Sequence, residues 1–251
     1  MASLDCFKAY DIRGRVPEEL DEALAYRIGQ AYAALVRPRR VALGRDIRQS
    51  SRALQEALAG GLTDAGVQVA DIGQCGTEGV YFATFAEKLD GGLMVTASHN
   101  PPDYNGIKLV REGSRPISAD TGLLEMRARL ARDEPPARAG RRGVVRALDI
   151  GTRYLEHLLG YVRQATLRPL KVVVNAGNGG AGPIIDQLEP HLPFQLVKVH
   201  HEPDGSFPHG VPNPMLAENR ALTSKAVVAS GADVGLAWDG DYDRCFFFDE
   251  Q

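Results

Sequence analysis

Short apolar runs alternate with amphipathic helical patterns along the chain, and this alternation restricts its fold more than any other feature. Strand-like runs lie at Val41–Gly44, Val67–Ile72, Leu93–Thr96 and Ile107–Val110. Helical patterns separate the first three of these runs. Strands that alternate with helices are typical of an α/β domain with a mainly parallel sheet.

A helix is predicted ahead of the first strand. Pro17 suits the first position of a helix, and the acidic residues Glu18 and Glu19 suit its first turn. An apolar stripe follows at three- and four-residue spacing, formed by Leu20, Leu24, Ile28, Ala31 and Leu35. The pattern therefore predicts a helix that begins at Pro17.

The second half of the chain repeats the alternation. It predicts helices near Ile150–Gln164, after Pro183 and near Leu216–Ser230, and strands at Leu170–Val174, Phe194–Val199, Asp233–Ala237 and Cys245–Phe248. We predict two consecutive three-layer α/β domains with mixed, mainly parallel sheets, spanning residues 1–146 and 147–251. Because the sequence stops directly after a predicted strand, we expect it to be a truncated part of a longer protein.

The stretch Arg127–Arg146 differs from its surroundings because it holds seven arginines, two prolines and two glycines. This composition predicts an exposed linker or the end of a helix. A basic patch for nucleic acid is the functional alternative, but Asp133 and Glu134 interrupt it. The 29 lysines and arginines are balanced by 32 acidic residues, for a net charge of −3. This balance argues against nucleic acid as a partner.

The cysteines and the N-terminus indicate the compartment. Cys6, Cys75 and Cys245 are odd in number and widely spaced, which predicts reduced thiols and no zinc site or disulfide framework. The N-terminus lacks the apolar run of a signal peptide, and no window approaches the ~18 apolar residues of a membrane span. We expect a cytoplasmic protein without a membrane partner.

A first candidate site follows the strand Gly92–Thr96. Ser98, His99 and Asn100 lie where ligands bind in open α/β sheets, at the carboxyl end of a strand, and Lys108 comes from the next strand. An oxygen nucleophile, hydrogen-bond donors and a group that moves a proton are the parts that phosphoryl transfer needs. A polar loop that only satisfies backbone groups is the simpler alternative. A hydrolytic serine with His99 as its base is a poor one, because adjacent residues rarely point at each other and no G-x-S-x-G motif is present.

A second candidate site contains three alternating aspartates, Asp239, Asp241 and Asp243, directly after the strand Asp233–Ala237. Two carboxylates ~4 Å apart repel by about 4 kcal/mol at an effective dielectric constant of 20, so three in one loop call for a cation. Hard oxygen ligands suit Mg²⁺ or Ca²⁺ and not zinc. A solvated acidic turn is the alternative, which the apolar flanks weaken.

Calcium is the nearest competitor. The three aspartates and Glu250 match positions one, three, five and twelve of an EF-hand loop. Position six needs glycine for a sharp turn and holds Arg244, and the flanking segments are strand-like where an EF-hand has helices. The sequence therefore favours Mg²⁺.

Two further patterns suggest other ligands. Gly177–Gly182 reads G-x-G-x-x-G between a strand and a helix, with Glu202 at a distance that suits a ribose-binding acid, so an NAD-dependent dehydrogenase is the rival interpretation. The dehydrogenase interpretation uses neither Ser98 nor the aspartates, and close packing of strand and helix also explains the glycines.

His200, His201 and His209, with Glu202 and Asp204, could bind a metal, but the absence of defined ligand spacing favours a loop.

Together these residues resemble the α-D-phosphohexomutases, and within them the bacterial phosphomannomutase/phosphoglucomutase group. The resemblance runs over the whole chain in the family's order. It is carried by motifs at residues 7–14 (FKAYDIRG), 96–101 (TASHNP), 105–108 (NGIK), 175–179 (NAGNG), 202–208 (EPDGSFP) and 239–244 (DGDYDR).

The resemblance implies roles for individual residues. Ser98 would carry a phosphoryl group, and Asp239, Asp241 and Asp243 would hold Mg²⁺, with a phosphoserine oxygen completing the site. Lys108 would serve as general acid and base, with Arg13 near the reacting hydroxyl. The resemblance also implies that His99 and Asn100 orient the phosphoryl group and that Arg244 balances charge beside the metal.

The resemblance also implies the reaction. Hexose 6-phosphate and hexose 1-phosphate, of mannose or glucose, would interconvert through a phosphoserine and a hexose bisphosphate that turns around in the cleft. The resemblance implies a third domain that reads the sugar and a fourth that binds the distal phosphate, and we expect residues 1–251 to lack both. We therefore expect negligible turnover by residues 1–251 alone. A non-catalytic Mg²⁺-binding fragment is the competing hypothesis.

Overall fold

The structure is a computed structural model that describes residues 4–132 and 139–249. The chain divides into two compact units. The first contains residues up to Ala97 together with Asp103–Asp149, and the second contains Ser98–Pro102 together with the chain from Ile150 onward. The predicted boundary after residue 146 stays a prediction.

The first unit contains four α-helices and seven strands among its described residues. In chain order they are β1 (Ile12–Arg15), α1 (Glu22–Val36), β2 (Arg40–Arg45), α2 (Ser51–Asp64), β3 (Gln68–Gln74), α3 (Thr77–Ala86), β4 (Gly91–Val95), β5 (Tyr104–Arg111), β6 (Arg115–Pro116), α4 (Leu123–Ala131) and β7 (Val145–Ala147). The sheet order is β1-β5-β4-β2-β3-β7, with β6 beside β5. Strands β4, β2, β3 and β7 are parallel, whereas β1, β5 and β6 add antiparallel pairs. The sheet is mixed, as predicted.

Helices cover both faces of this sheet. Leu43 of β2 belongs to the large apolar core that also contains residues of α1, α2 and α4. A Cβ on its neighbour Gly44 would instead meet Val80 of α3, on the opposite face. Because successive strand residues point to opposite faces, α3 and the α1–α2 pair lie on different sides of the sheet. The unit therefore has three layers.

The predicted start of the first helix is wrong. Residues 16–19 form turns, and α1 begins at Glu22 because Asp21 caps it, accepting a hydrogen bond from the Leu24 amide at 2.7 Å. An aspartate oxygen that satisfies a free amide stabilises a helix start, and this outweighed the proline signal.

Both ends of the arginine-rich stretch belong to regular secondary structure. Helix α4 extends to Ala131, so the beginning of the stretch is the end of a helix, as the sequence allowed. The last residues of the stretch enter β7, which pairs in parallel with β3 through Val69 and Val145. Pro135 and Pro136, and the interrupting Asp133 and Glu134, lie outside the described residues.

The second unit repeats the architecture on a smaller scale. Its elements are α5 (Gly151–Leu159), β8 (Lys171–Asn175), α6 (Gly182–Leu188), β9 (Gln195–Val199), α7 (Ala217–Ser230), β10 (Val234–Trp238) and β11 (Cys245–Phe248). The sheet order is β11-β10-β8-β9, in which β10 pairs with β11 antiparallel, whereas β10 with β8 and β8 with β9 are parallel. Val172 and Val174 pack with Ile185 of α6, whereas Gly235 faces Val227 of α7. Helices therefore flank both faces of this sheet too.

Cys6, Cys75 and Cys245 form no disulfide with one another. Among the described helices, none combines the length and the hydropathy that a bilayer crossing requires.

Two adjacent glycines of α2 generate a testable difference in stability. A Cβ on Gly61 would lie 1.9 Å from the Tyr26 carbonyl oxygen of α1, whereas a Cβ on Gly60 would meet only the Tyr26 ring at 3.5 Å. We expect Gly61→Ala to lower the free energy of unfolding by about 1–3 kcal/mol, because close-packed helices cannot absorb the extra methyl group. Urea denaturation followed by circular dichroism measures the change.

Gly60→Ala is the matched control. It removes the same backbone freedom within the same helix without a clash, so its expected effect is neutral or stabilising by up to about 1 kcal/mol. Equal effects of the two substitutions would contradict the close helix contact.

Candidate phosphoryl-transfer and metal site

The serine loop emerges from the buried strand β4. Thr96 and Ala97 are buried, and Ser98 is fully buried with a φ of 54°. A serine seldom adopts this left-handed conformation, and such strain concentrates at functional sites. The Ser98 Oγ donates a hydrogen bond to Asp239 Oδ2 at 2.6 Å, across 141 positions of sequence. The candidate nucleophile is therefore held at the acidic loop.

The acidic loop begins directly after β10. Each of Asp239, Asp241 and Asp243 offers a carboxylate oxygen, and these oxygens all lie within 4.8 Å of one another. Asp239 and Asp241 are buried, whereas Asp243 is exposed. Among the described residues, no other group of three or more histidine, cysteine or acidic side chains has such metal-binding geometry.

A glycine allows the two loops to approach. A Cβ on Gly240 would lie 2.5 Å from the carbonyl oxygen of Ser98, which is closer than real Cβ atoms come. Any other residue at position 240 would push the serine loop away from the aspartates.

The pKa of Asp239 reflects this crowding. Burial of its carboxyl group is the main cause that raises the pKa to about 6, and the negative charge of Asp241 acts in the same direction. The hydrogen bond from Ser98 and the charge of Arg244 act in the opposite direction. The carboxylates are thus held together at an electrostatic cost that a cation would relieve.

Arg244 connects the acidic loop to the serine loop. Its Nη2 atom contacts Asp239 Oδ2 at 2.5 Å and His99 Nδ1 at 2.5 Å, and it donates a hydrogen bond to Ser98 Oγ. His99 Nδ1 itself lies 3.2 Å from Ser98 Oγ. The expectation that these adjacent residues do not point at each other is therefore wrong, because the left-handed turn at Ser98 brings the imidazole back onto the hydroxyl.

Two candidate residues lie in the first unit. Arg13, on β1, forms a salt bridge with Asp11 at 2.8 Å and donates a hydrogen bond to the carbonyl of Ala97, the residue before Ser98, at 3.2 Å. Lys108, on β5, donates a hydrogen bond from Nζ to Thr77 Oγ1 at 2.9 Å. Asn100 follows His99 in a bend of the serine loop and is partly buried. The predicted roles of Arg13, Lys108 and Asn100 stay predictions.

The glycine-rich loop packs against the acidic loop. A Cβ on Gly179 would lie 3.0 Å from the Gly240 carbonyl oxygen, and a Cβ on Gly180 would lie 2.9 Å from the Tyr242 ring. A Cβ on Gly182 would clash with the His201 carbonyl oxygen just beyond β9. Close packing therefore accounts for these glycines without a dinucleotide.

The histidines have partners other than a metal. The rings of His200 and His209 stack with centroids 3.8 Å apart, and His209 Nδ1 lies 2.8 Å from Asn178 Oδ1. His201 Nε2 lies 2.8 Å from Asp186 Oδ1. These contacts match the loop interpretation.

The flanks of the acidic loop are strands, β10 and β11, as the sequence predicts and unlike those of an EF-hand. Arg244 occupies the position at which an EF-hand has glycine. Glu250, the candidate for position twelve, lies outside the described residues. The three closely spaced carboxylates, hard oxygen donors without nitrogen or sulfur ligands, fit Mg²⁺.

A buried polar network at the carboxyl ends of β2 and β4 was not predicted from the sequence. Asp46 forms an ion pair with Arg48 at 3.3 Å and accepts a hydrogen bond from the Ser51 hydroxyl. Asn105, at the start of β5, donates to Ser51 Oγ at 2.9 Å, and Arg48 donates to the Tyr104 carbonyl at 3.0 Å. The side chains of Asp46, Arg48, Ser51 and Asn105 are buried. The sequence feature that could have indicated this network is the run of polar residues that follows the predicted strand Val41–Gly44.

This network stabilises the end of β4. The Asp46 amide donates to the Val95 carbonyl at 2.9 Å, and the Asp46 carboxylate also accepts a hydrogen bond from Thr96. Thr96 is two residues before Ser98, so the network fixes the strand end from which the serine loop departs. Burial raises the pKa of Asp46, whereas Arg48 and the hydrogen bonds lower it.

Two family models match the chain. Phosphoglucomutase/phosphomannomutase alpha/beta/alpha domain I matches residues 5–134, and alpha/beta/alpha domain II of the same family matches residues 152–251. Together they cover most of the chain and both three-layer units.

Curated relatives match nearly the whole chain. "Phosphohexose mutases" of Xanthomonas campestris pv. campestris (strain B100) is 62% identical over 247 residues, which are 98% of this chain and 55% of the relative. Phosphomannomutase of Salmonella typhimurium is 56% identical and matches 100% of this chain and 56% of its own length. The chain thus spans about half the length of these relatives.

Solved structures agree in fold. A phosphoglucomutase/phosphomannomutase family protein from Burkholderia thailandensis superposes with a TM-score of 0.92 at 37% identity, over 100% of this chain and 56% of that one. A putative phosphomannomutase from Thermus thermophilus gives a TM-score of 0.84 at 26% identity, over 98% and 57% of the two chains. The chain belongs to the phosphoglucomutase/phosphomannomutase family, within the phosphohexomutases, and carries the family's first two domains.

Proposed function

We propose that the protein interconverts hexose 6-phosphate and hexose 1-phosphate, with Ser98 as the phosphoryl carrier. The observation that carries the proposal is the 2.6 Å hydrogen bond from Ser98 Oγ to Asp239, within a loop of three convergent aspartates. This hydrogen bond holds a nucleophilic oxygen next to a cation-binding group, and phosphoryl transfer needs both at the same place.

Asp239, Asp241 and Asp243, with an oxygen of phosphorylated Ser98, would hold Mg²⁺. When bound, the ion would stabilise the serine oxygen as a leaving group and offset charge on the phosphoryl oxygens. No other cofactor is part of the proposal.

The chain's own residues would carry out the rest. The bond from phosphorus to Ser98 Oγ breaks as a bond from phosphorus to a hexose hydroxyl forms, and Lys108 accepts the proton of that hydroxyl. Return of the other phosphate of the bisphosphate to Ser98 reverses these steps, and Lys108 gives the proton back. Arg244, His99 and Asn100 hold the phosphoryl oxygens, and Arg13 balances charge near the reacting hydroxyl.

The substrates would be the phosphates of mannose, of glucose or of both, since the relatives are named as phosphohexose mutases and phosphomannomutases. Because the chain spans about half of their length, we propose that turnover also needs the third and fourth domains, which read the sugar and bind the distal phosphate. Residues 1–251 alone would turn over negligibly, and the reaction would take place in the cytoplasm.

Removal of the serine hydroxyl tests the proposal. The protein is mixed with the C-terminal domains of the Salmonella relative, a hexose 1,6-bisphosphate and Mg²⁺. We expect the intact mass of the chain to increase by one phosphoryl group and turnover of mannose 1-phosphate to appear. Ser98→Ala should abolish both, because it removes the hydroxyl that is hydrogen-bonded to the aspartates.

Ser230→Ala is the matched control, since this hydroxyl also lies in the second unit and donates to helix carbonyls. It should leave both readouts unchanged. Turnover by Ser98→Ala at the rate of the unmodified protein would refute the proposal.

Removal of one carboxylate tests the metal site. Asp241→Asn should weaken the binding of Mg²⁺, or of Mn²⁺ as its probe, by about tenfold or more, because a hard cation prefers charged oxygen ligands. Isothermal titration calorimetry measures the dissociation constant. Glu218→Gln removes a charge from the start of α7 and should have no effect. Equal losses in the two variants would mean that the ion binds only through overall charge.

A further inference from the structure

We propose that the first unit carries a second anion site, for a small molecule with two or more linked phosphate groups, at the amino ends of β2, β3 and β7. The site is a concavity of about 670 Å³ lined by Arg40, Gln68, Ala70, Arg141, Arg142 and Arg146 among others. This volume is within the usual range for small-molecule sites, roughly 300–1,000 Å³. The inference is independent of the proposed mutase activity.

Strand register places the key donors on one face of the sheet. Arg40 of β2 pairs with Gln68 of β3, and Ala70 of β3 pairs with Arg146 of β7. Side chains of paired residues share a face, and so do those of Gln68 and Ala70, two positions apart. Arg40 and Arg146 therefore flank Gln68 and the small side chain of Ala70.

The face is open at this point. Helix α3 packs against β2 and β4 on the same side of the sheet, where it also meets Gly44 and Gly92. Arg40, Gln68 and Arg146 are exposed. Neighbouring strands lie about 4.8 Å apart and strand residues rise by about 3.3 Å, so the Cα atoms of Arg40 and Arg146 are separated by roughly 12 Å. Two guanidinium groups at this spacing suit an extended anion with several charges better than one orthophosphate.

The charges of the concavity are not balanced within the described residues. The side chains of Arg40, Arg141 and Arg146 have no carboxylate partner there, whereas Arg142 forms a salt bridge with Asp64 at 2.6 Å. The Asp90 carboxylate binds the backbone amides of Arg39 and Arg40 instead. Since the whole chain has a net charge of −3, this positive charge is a local feature.

A neutral donor completes the site. The Gln68 Oε1 accepts a hydrogen bond from the Val144 amide at 3.3 Å, which leaves its NH₂ group as a donor between the arginines. Guanidinium groups bind phosphate oxygens through two parallel hydrogen bonds. The described residues of the lining include no aromatic side chain on which a base could stack, so the phosphates and not a nucleobase are the recognised group.

The arginines lie at the opposite end of the sheet from the start of the serine loop. Strands β2 and β4 are parallel, with Ala42 beside Gly92 and Arg45 beside Val95. The arginines lie at the amino ends of the parallel strands, whereas Ala97, which precedes Ser98, follows the carboxyl end of β4. An anion bound at the arginines would therefore not occupy the phosphoryl-transfer position.

Calorimetric titration of the protein with sodium tripolyphosphate, at low ionic strength and without divalent cations, tests the proposal. We expect one binding event that persists in Arg244→Gln, because that variant changes the phosphoryl-transfer loops. The same event should weaken by about tenfold or more in Arg40→Gln and in Arg146→Gln, since each loses a charged pair of donors. Arg146→Lys should lie between Arg146→Gln and the unmodified protein.

Arg168→Gln is the matched control, because it removes an arginine of the second unit, and it should bind like the unmodified protein. Unchanged urea denaturation midpoints would show that the variants fold. The proposal is overturned if Arg40→Gln and Arg146→Gln bind as well as Arg168→Gln, or if Arg244→Gln alone abolishes binding. Orthophosphate that binds as tightly as tripolyphosphate would exclude an extended anion. A single-stranded oligonucleotide that binds more tightly at equal salt would assign the surface to nucleic acid instead.

Discussion

Repulsion among three carboxylates is the constraint on which the proposed site depends. Asp239, Asp241 and Asp243 bring their oxygens within 4.8 Å of one another, and two of the three side chains are buried. Without a bound cation this arrangement is unfavourable. Burial of the Asp239 carboxyl group, together with the repulsion, raises its pKa to about 6. Arg244 and the Ser98 hydroxyl offset part of this cost, and a divalent cation would offset more. The loop therefore favours a cation at the point where the serine oxygen lies.

The backbone is arranged to keep the serine at this point. Ser98 adopts a left-handed conformation, Gly240 has no side chain that would displace the serine carbonyl, and Gly180 makes room for the Tyr242 ring. The buried ion pair of Asp46 and Arg48 fixes the end of β4. A buried pair of this kind contributes little net stability, because desolvation of both charges opposes their attraction. The pair instead fixes the position of the strand end, since the Asp46 amide donates to the Val95 carbonyl and the Asp46 carboxylate accepts a hydrogen bond from the Thr96 side chain.

The fold could be predicted from the sequence wherever local patterns decide it. The long buried strands and the amphipathic helices of both units were found, because apolar periodicity reports burial directly. The three-residue strand β7 was missed, since its existence depends on pairing with β3 and its composition resembles a loop. The first helix was placed too early because proline is a weaker start signal than the cap that Asp21 provides.

The individual residues of the candidate site could be predicted from the sequence, but their contacts with one another could not. Aspartates and a serine after strand ends are visible in the sequence, but no local pattern reports that Ser98 meets Asp239 across 141 positions. The contact of His99 with Ser98 could not be predicted from the sequence, because it depends on one unusual φ angle. The sequence does not reveal the Asp46 network, because a buried polar cluster and a solvated polar loop have the same composition. Resemblance to a family supplied the connection that local physics could not.

The central claim is that Ser98 and the three aspartates share one divalent cation. Electron paramagnetic resonance of Mn²⁺ bound to the protein, with Ser98 in its phosphorylated form, tests it most directly. We expect a hyperfine coupling between the ion and the phosphoserine phosphorus, which disappears when Asp241→Asn removes a ligand. Tight Mn²⁺ binding by the aspartates without any phosphorus coupling would contradict the claim.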